Sequence, residues 1–290
     1  MVPAGRRALA TVGASPLAVP ARLPLTSDDT RPMYLSVSSL ALFWRWPERW
    51  RRRYLERQPE LQIGAMVVGK AVGATIAAYF AARMAGEVLS EMEADDLCLA
   101  EFDERAAQPL TDFGQEEPAE LREQAREALR AYLRELAPSV RPVSVERRFE
   151  LRFEGAEWSI VGYFDAEDAS GDVIDVKVGA KHVSEARAGV DPQPTTYELA
   201  RGAEGRPRGY FKFHSVRRGP IRSGVRCLVV PAERSAEQLA AMEFRIAQTA
   251  REIARCADTG DWPLSTPDGW WCAPGQCRFW SGCPGGGVRR

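Results

Sequence analysis

The run GDVIDVKVGAK, residues 171 to 181, constrains the fold more tightly than any other stretch of the chain. Val173, Ile174, Val176 and Val178 are β-branched and apolar, which predicts a strand in a packed sheet. Asp175 and Lys177 interrupt it. Strand side chains alternate with period 2, so both charges stand on the same face. A buried charge without a partner costs several kcal/mol. Either the two pair with each other as structure, or that face opens into a site that needs a carboxylate and an amine side by side.

The elements around this run predict one sheet with helices before and after it. In YLSVSSLALFWRWPERWRRRYLE, serines suited to capping precede apolar positions, and Pro47 splits the segment into two short helices. LQIGAMVVGKAVGATIAAYFAARMAGEVL predicts a buried helix from about residue 65 to 90. PAELREQAREALRAYLRELA (118 to 137) is amphipathic, with Leu121, Ala125, Ala128, Leu129, Tyr132, Leu133 and Leu136 along one side. Strands are then expected at 143 to 153, 157 to 168 and through GDVIDVKVG, joined by tight turns as an antiparallel meander. DPQPTTYELARGA predicts a helix, followed by strands near 209 to 217 and 222 to 231. A long amphipathic helix (232 to 260) ends at Gly260. The layout is α/β or α+β around one sheet.

With 290 residues, the chain has room for one large domain or two small ones. We read residues 1–33, rich in Ala, Pro, Ser and Gly, as a disordered leader, and 34–290 as the folded domain. The leader has no continuous apolar core of the signal-peptide kind, so the expected compartment is the cytoplasm. No apolar run approaches the roughly 20 residues that span a bilayer, so no membrane partner is expected. The 39 basic and 40 acidic side chains give a net charge of −1, and overall charge does not point to nucleic acid. Local charge does: RWPERWRRRYLER (45 to 57) interleaves arginines with Trp46, Trp50 and Tyr54. Arg49, Arg51, Arg52 and Arg53 are candidates for phosphate contact. The alternative is a solvated amphipathic helix whose arginine stems cover apolar surface. Six cysteines are present, and Cys272, Cys277 and Cys283 crowd into twelve residues, which in a cytosolic protein points to metal rather than disulfides.

The meander brings a second acid toward the Asp-x-Lys pair. Asp165 lies in the preceding strand, ten residues before Asp175, and neighbouring strands run about 4.8 Å apart. Two carboxylates that close repel unless a proton or cation lies between them, and a hard divalent ion such as Mg²⁺ takes oxygen ligands while keeping waters. Lys177 would then orient water and stabilise charge during attack on a phosphodiester. On the following helix, Gln193 and Tyr197 are four apart and share a face, suited to holding a nucleic-acid backbone or the nucleophilic water.

Asp165, then DVK at 175 to 177, then QPTTY at 193 to 197, all after the arginine-rich helix, resembles the PD-(D/E)XK nuclease superfamily. More closely it resembles the RecB-like branch, with its CRISPR-associated and phage exonucleases that carry a C-terminal cysteine cluster. The resemblance covers about residues 34 to 284 and implies a restriction-endonuclease-like α/β core, a central mixed sheet flanked by helices. It implies Mg²⁺- or Mn²⁺-dependent DNA cleavage in repair, recombination or phage DNA metabolism, with a helicase or recombination protein as a possible partner chain. Asp165 and Asp175 become metal ligands, Lys177 the catalytic lysine, and Gln193 and Tyr197 the helix motif. Gly73 stands where RecB-like members carry a metal-ligating His; His182 and His214 read as ordinary polar residues. Cys272, Cys277 and Cys283 resemble the end of an iron–sulfur signature, but a [4Fe–4S] cluster takes four thiolates and Trp46 occupies the place of the first. Cys98, Cys256 or a non-cysteine group is then the fourth ligand, or zinc the occupant, or aromatic packing has replaced the cluster. The alternative to an enzyme is a catalytically degenerate nucleic-acid-binding scaffold of the same fold. No GxxxxGK[ST] loop occurs, so an ATP motor would come from another chain.

Overall fold

The computed structural model describes residues 11–12, 33–156, 158–206, 209–219, 226–266, 269 and 271–287. Most of the stretch expected to be a disordered leader lies outside the described residues. Thr11–Val12 within it form a short strand, β1, and Met33–Leu35 form β2. Ser36 caps α1 (Val37–Arg45) through a reciprocal pair of bonds with Ser39, which is what the serine run was expected to do. Trp46 ends that helix, and Pro47, at the first position of α2 (Pro47–Tyr54), starts the next, where a missing N–H costs nothing.

After a short β3 (Gln62–Ile63) comes α3 (Gly64–Met84), ending earlier than expected because the chain turns through Gly86 at φ 79°. By length and composition α3 is apolar enough to cross a membrane, which corrects the expectation that no run approaches that length. Its Val67, Val68, Ala71, Val72, Ile76 and Phe80 are instead buried in the protein core. Helix α4 (Glu91–Ala106), strand β4 (Thr111–Asp112) and helix α5 (Pro118–Glu135) follow. The rest of the chain is β5 (Pro142–Phe153), β6 (Trp158–Asp168), β7 (Val173–Gly179), α6 (Glu185–Val190), α7 (Pro192–Ala203), β8 (Phe211–Arg217), β9 (Cys227–Pro231), α8 (Ala236–Thr259) and a cysteine-rich tail.

Among the described residues, seven strands make one mixed sheet in the order β1-β5-β6-β7-β8-β9, with β2 paired to β6. β5, β6 and β7 form the expected antiparallel meander; β7 and β8 run parallel, joined through α6 and α7. Each face of the sheet carries its own core. On one, α3, α4 and α5 pack Phe80, Leu129 and Tyr132 toward Ala166, Ile174 and Val216. On the other, α1, α2, α7 and α8 bring Leu40, Trp50, Tyr197 and Ile246 against Ile160, Phe164, Val173 and Phe213.

These two cores reveal an inversion in the meander. Phe164 belongs to one core and Ala166 to the other, although residues two apart on a regular strand share a face. Opposite them, Val145 packs with the α3–α5 core, while Arg147 stacks over Phe164 and pairs with Glu167 and Glu204. The ladder pairs Val145 with Ala166 and Arg147 with Phe164, passing over Glu146 and Asp165. Glu146 has φ 45°, a left-handed backbone that turns β5 over at this point. Asp165 sits at the matching point of β6.

Candidate active site

The β6–β7 ladder ends where Ala166 pairs with Ile174. One step further the strands part, and Asp165 and Asp175 stand at the mouth of the wedge. Parting leaves strand N–H groups without partners, and the Asp165 carboxylate accepts one of them, from Val176 at 3.1 Å. Asp175 is 1% exposed. Its Oδ1 accepts from Gln193 Nε2 at 2.5 Å, and its Oδ2 lies 2.6 Å from the Lys177 ammonium. Among the described residues that buried Oδ2 meets the Lys177 ammonium alone, so a lone pair is left for a further partner.

Helix α7 supplies the lid. Asp191 caps it by accepting from the Gln193 N–H at 3.0 Å, and Pro192 sits in the first turn. This start fixes Gln193 and, one turn on, Tyr197 toward the strands. Lys177 Nζ donates to Gln193 Oε1 at 2.9 Å, Gln193 Nε2 donates to Tyr197 Oη at 2.8 Å, and Tyr197 donates to the Tyr163 carbonyl at 2.7 Å. Asp175, Lys177, Gln193 and Tyr197 are thus one connected polar group, and Asp165 stands beside it, bonded to the Val176 N–H.

Electrostatics explains why such a group is costly. Burial pushes the Asp175 carboxyl up to about 7; the Lys177 ammonium works against this and the Asp165 charge adds to it. Asp165 is also raised, by burial first, with Lys177 opposing. For Lys177, burial acts to lower the amine, but the charges of Asp175 and Asp165 outweigh it and hold the proton on. Burial raises the Tyr197 phenol, so it stays a donor at neutral pH. Two desolvated acids therefore share one ammonium and remain short of positive charge. Among the described residues, no group of three or more His, Cys, Asp or Glu side chains is gathered to hold a metal. Two carboxylates with an open lone pair nevertheless suit Mg²⁺, which is commonly bound by one or two carboxylates and completes its shell with waters and substrate phosphate.

Glu146 was not among the sequence candidates, yet its charge acts on both Asp165 and Tyr197. Apolar residues hold the odd positions of β5 from Val143 to Phe153 except Arg147, beside the inversion, a single break that the sequence reading passed over. The two histidines stay outside the group: His214 is buried against Tyr132 Oη at 3.1 Å and held near 4 by burial, and His182 lies 3.2 Å from Ser215 Oγ.

The four arginines expected to meet phosphate are committed within the protein. Arg49 and Arg53 pair with Glu60, Arg51 with Glu48 and Glu56, and Arg52 with Glu48. Arg52 also donates to the Gly282 carbonyl at 2.6 Å and stacks over Phe279, while Arg278 donates to Pro59 from the tail side. The arginine-rich helix is the berth of the C-terminal tail, which sequence could not show because residues 230 positions apart meet there.

The cysteine expectation needs correction in the same place. Cys272, Cys277 and Cys283 line one cavity beside Trp46, which also donates to the Trp271 carbonyl at 3.3 Å. The cavity holds about 20 Å³, room for a water but not for an iron–sulfur cube. Neither candidate fourth thiolate lines it: Cys98 is in the α3–α5 core, and Cys256 on α8 is bonded to Glu252. Burial raises the Cys277 thiol, and its two neighbouring cysteines add to that, so the neutral form is favoured. The residues do not fit a four-thiolate cluster: three thiols line the cavity, with Trp46 and Phe279 also in its wall.

A family model describing the PD-(D/E)XK nuclease superfamily matches residues 34–284. The chain belongs to the PD-(D/E)XK nuclease superfamily. That membership supports a nuclease, a hydrolase acting on nucleic acid. Its mixed sheet between two helical layers is the superfamily's restriction-endonuclease-like fold. A crystal structure from Eubacterium rectale, of a protein titled "Putative exonuclease", shares that fold at 14% identity and a TM-score of 0.54, covering 83% of this chain and 87% of the other. No curated protein matches.

Proposed function

We propose that this nuclease is a divalent-metal-dependent deoxyribonuclease of the RecB-like kind, acting on DNA as an exonuclease. The observation that carries the reading is two neighbouring acids, the buried Asp175 in contact with the Lys177 ammonium and the half-buried Asp165 within its field. Asp165 and Asp175 would hold Mg²⁺ or Mn²⁺. When bound, such an ion supplies a Lewis acid for the phosphoryl oxygen and makes a water more acidic.

The chain's own residues supply the rest. Lys177, held between Asp175 and Gln193, keeps its proton and places a fixed positive charge where a phosphodiester oxygen gathers negative charge. Gln193 uses its carbonyl to aim the ammonium and its amide to aim Asp175. Tyr197 is spent on the Tyr163 carbonyl and therefore positions Gln193 rather than touching substrate. Cleavage of linear duplex DNA in Mg²⁺ and in Mn²⁺ tests the reading, with Asp175→Ala and Lys177→Ala as comparisons. Metal-dependent cutting that survives both changes would remove those residues from the chemistry.

A second reading, a binding scaffold without catalysis, is favoured by one observation. Gly73 puts no side chain where RecB-like members carry a ligand, and a Cβ there would meet nothing within 4 Å. A scaffold would bind DNA and leave it intact in both metals.

A further inference from the structure

We propose that Arg217 holds a phosphate of the nucleic-acid strand, the neighbour of the phosphodiester that reacts beside Lys177. This rests on the nuclease reading above and adds a substrate-binding residue to it.

The first observation is where strand pairing puts Arg217. In the parallel ladder of β7 and β8, Asp175 lies opposite Phe213, Lys177 opposite Ser215 and Gly179 opposite Arg217. Paired residues of neighbouring strands share a face, and so do residues two apart. Arg217 therefore stands on the face that carries Asp175 and Lys177, one same-face step beyond the lysine. With strands about 4.8 Å apart and about 3.3 Å of rise per residue, the roots of Lys177 and Arg217 are about 8 Å apart. That step leads away from the closed end of the site. β6 pairs with β7 only at Ala166–Ile174 and Glu167–Val173, so Lys177 and Gly179 lie past the parting of the two strands. A polynucleotide whose phosphodiester meets Lys177 carries its next phosphate along such a path.

The second observation is the guanidinium itself. Arg217 is half-buried, and its Nε is shut away from solvent without a hydrogen-bond partner. Among the described residues no carboxylate pairs with it. The neighbouring arginines are all engaged. Arg218 donates to Gln124 and to Glu116, each at 2.9 Å, and Arg226 reaches Glu127 and the carbonyls of Arg217 and Gly219. A buried donor left unmet is costly, and arginine is seldom desolvated unless paired. Its planar fork matches phosphate with two parallel bonds. The missing partner is an anion from outside the chain, and phosphate is the anion that a nuclease's substrate brings.

A second cation stands nearby. Ser215 accepts from the Val183 N–H at 2.9 Å and lies 3.2 Å from His182 Nδ1, which pins the loop after β7 onto β8. In that loop Lys181 is exposed, without an acid partner among the described residues, and its carbonyl would lie 3.3 Å from a Cβ on Gly179. The end of β7 is thus flanked by positive charge that no acid of the described chain offsets.

The test is binding of a fluorescently labelled linear DNA duplex to the full chain in EDTA, where no cutting occurs, read by anisotropy over a range of NaCl. Each phosphate contact steepens the fall of log affinity with log salt by about 0.9. Arg217→Gln should lower the slope by about one and weaken binding several-fold at low salt, equally for different sequences. Arg217→Lys, which keeps the charge, should keep the slope. Arg134→Gln, at an exposed arginine of α5 on the other side of the sheet, should leave it unchanged. Urea unfolding of Arg217→Gln should match wild type, because no partner within the fold is lost. An unchanged slope in Arg217→Gln, an equal fall in Arg217→Lys or Arg134→Gln, or a less stable Arg217→Gln overturns the role of Arg217 and leaves the nuclease reading standing. Wild type that binds no DNA contradicts the nuclease reading, and this role with it.

Discussion

Replacing Asp175 with Asn should make the metal-free protein more stable at pH 8 while destroying its activity. The magnitude follows from burial. The Asp175 carboxyl moves from an ordinary 3.8 to about 7, a little over three units, worth about 4 kcal/mol at 1.36 kcal/mol per unit. A carboxyl raised in the folded state costs nothing below about pH 4, where both states are protonated, and its cost grows as pH rises to about 7. Above that the native state carries the full charge. Asn keeps the acceptor that Gln193 meets and removes the charge, but Lys177 loses its partner. That loss is already inside the shift, where the Lys177 attraction opposes burial. The gain at pH 8 is about 4 kcal/mol, falling to about 1–2 kcal/mol at pH 5, where the native acid is protonated but the unfolded one is already ionised, and vanishing only below about pH 4. Asp165 is present in both proteins. Urea unfolding of both in EDTA at pH 5 and pH 8 reads the difference. An Asn variant less stable than wild type, by the same amount at both pH values, would show that Asp175 is an ordinary paired acid and refute the argument.

Other outcomes follow from the same geometry. Lys177→Met should lower cleavage by about 10²–10³-fold, the scale for removing one preorganised charge or donor, while DNA affinity read by fluorescence anisotropy changes little. Gly162→Ala should destabilise by about 1–3 kcal/mol in urea, since its Cβ would lie 2.4 Å from the Phe149 ring, whereas Gly73→Ala, in open space within α3, should stabilise by about 1 kcal/mol. Iron and sulfide analysis of protein purified without air should find neither in stoichiometric amount, because the cavity among the three tail thiols is water-sized.

The chemistry was legible wherever it obeys short periodicities. Strand parity put Asp175 and Lys177 on one face, and a spacing of four put Gln193 and Tyr197 on one turn of α7. The helix pair around Pro47 followed from the proline alone. Helix α4 escaped because acids crowd EMEADDLCLAEFDERA, and its buried stripe of Ala94, Cys98 and Phe102 is thin. Glu146 escaped because the break beside it is a single step: Arg147 takes one apolar place in β5, the alternation resumes at Phe149, and the left-handed backbone that turns the strand there is not visible in sequence. What the arginine run could not show is its partners inside the protein, Glu48, Glu56, Glu60 and the Gly282 carbonyl, which tertiary folding brings to it. Charge density on a helix does not say whether the charge is free.

The central claim is that Asp165 and Asp175 form one cation site. Anomalous diffraction from crystals grown with Mn²⁺ addresses it directly. The account predicts a single strong peak within coordination distance of both carboxylates, absent in Asp175→Asn. A peak that avoids both acids, or one that persists unchanged in the variant, would contradict it.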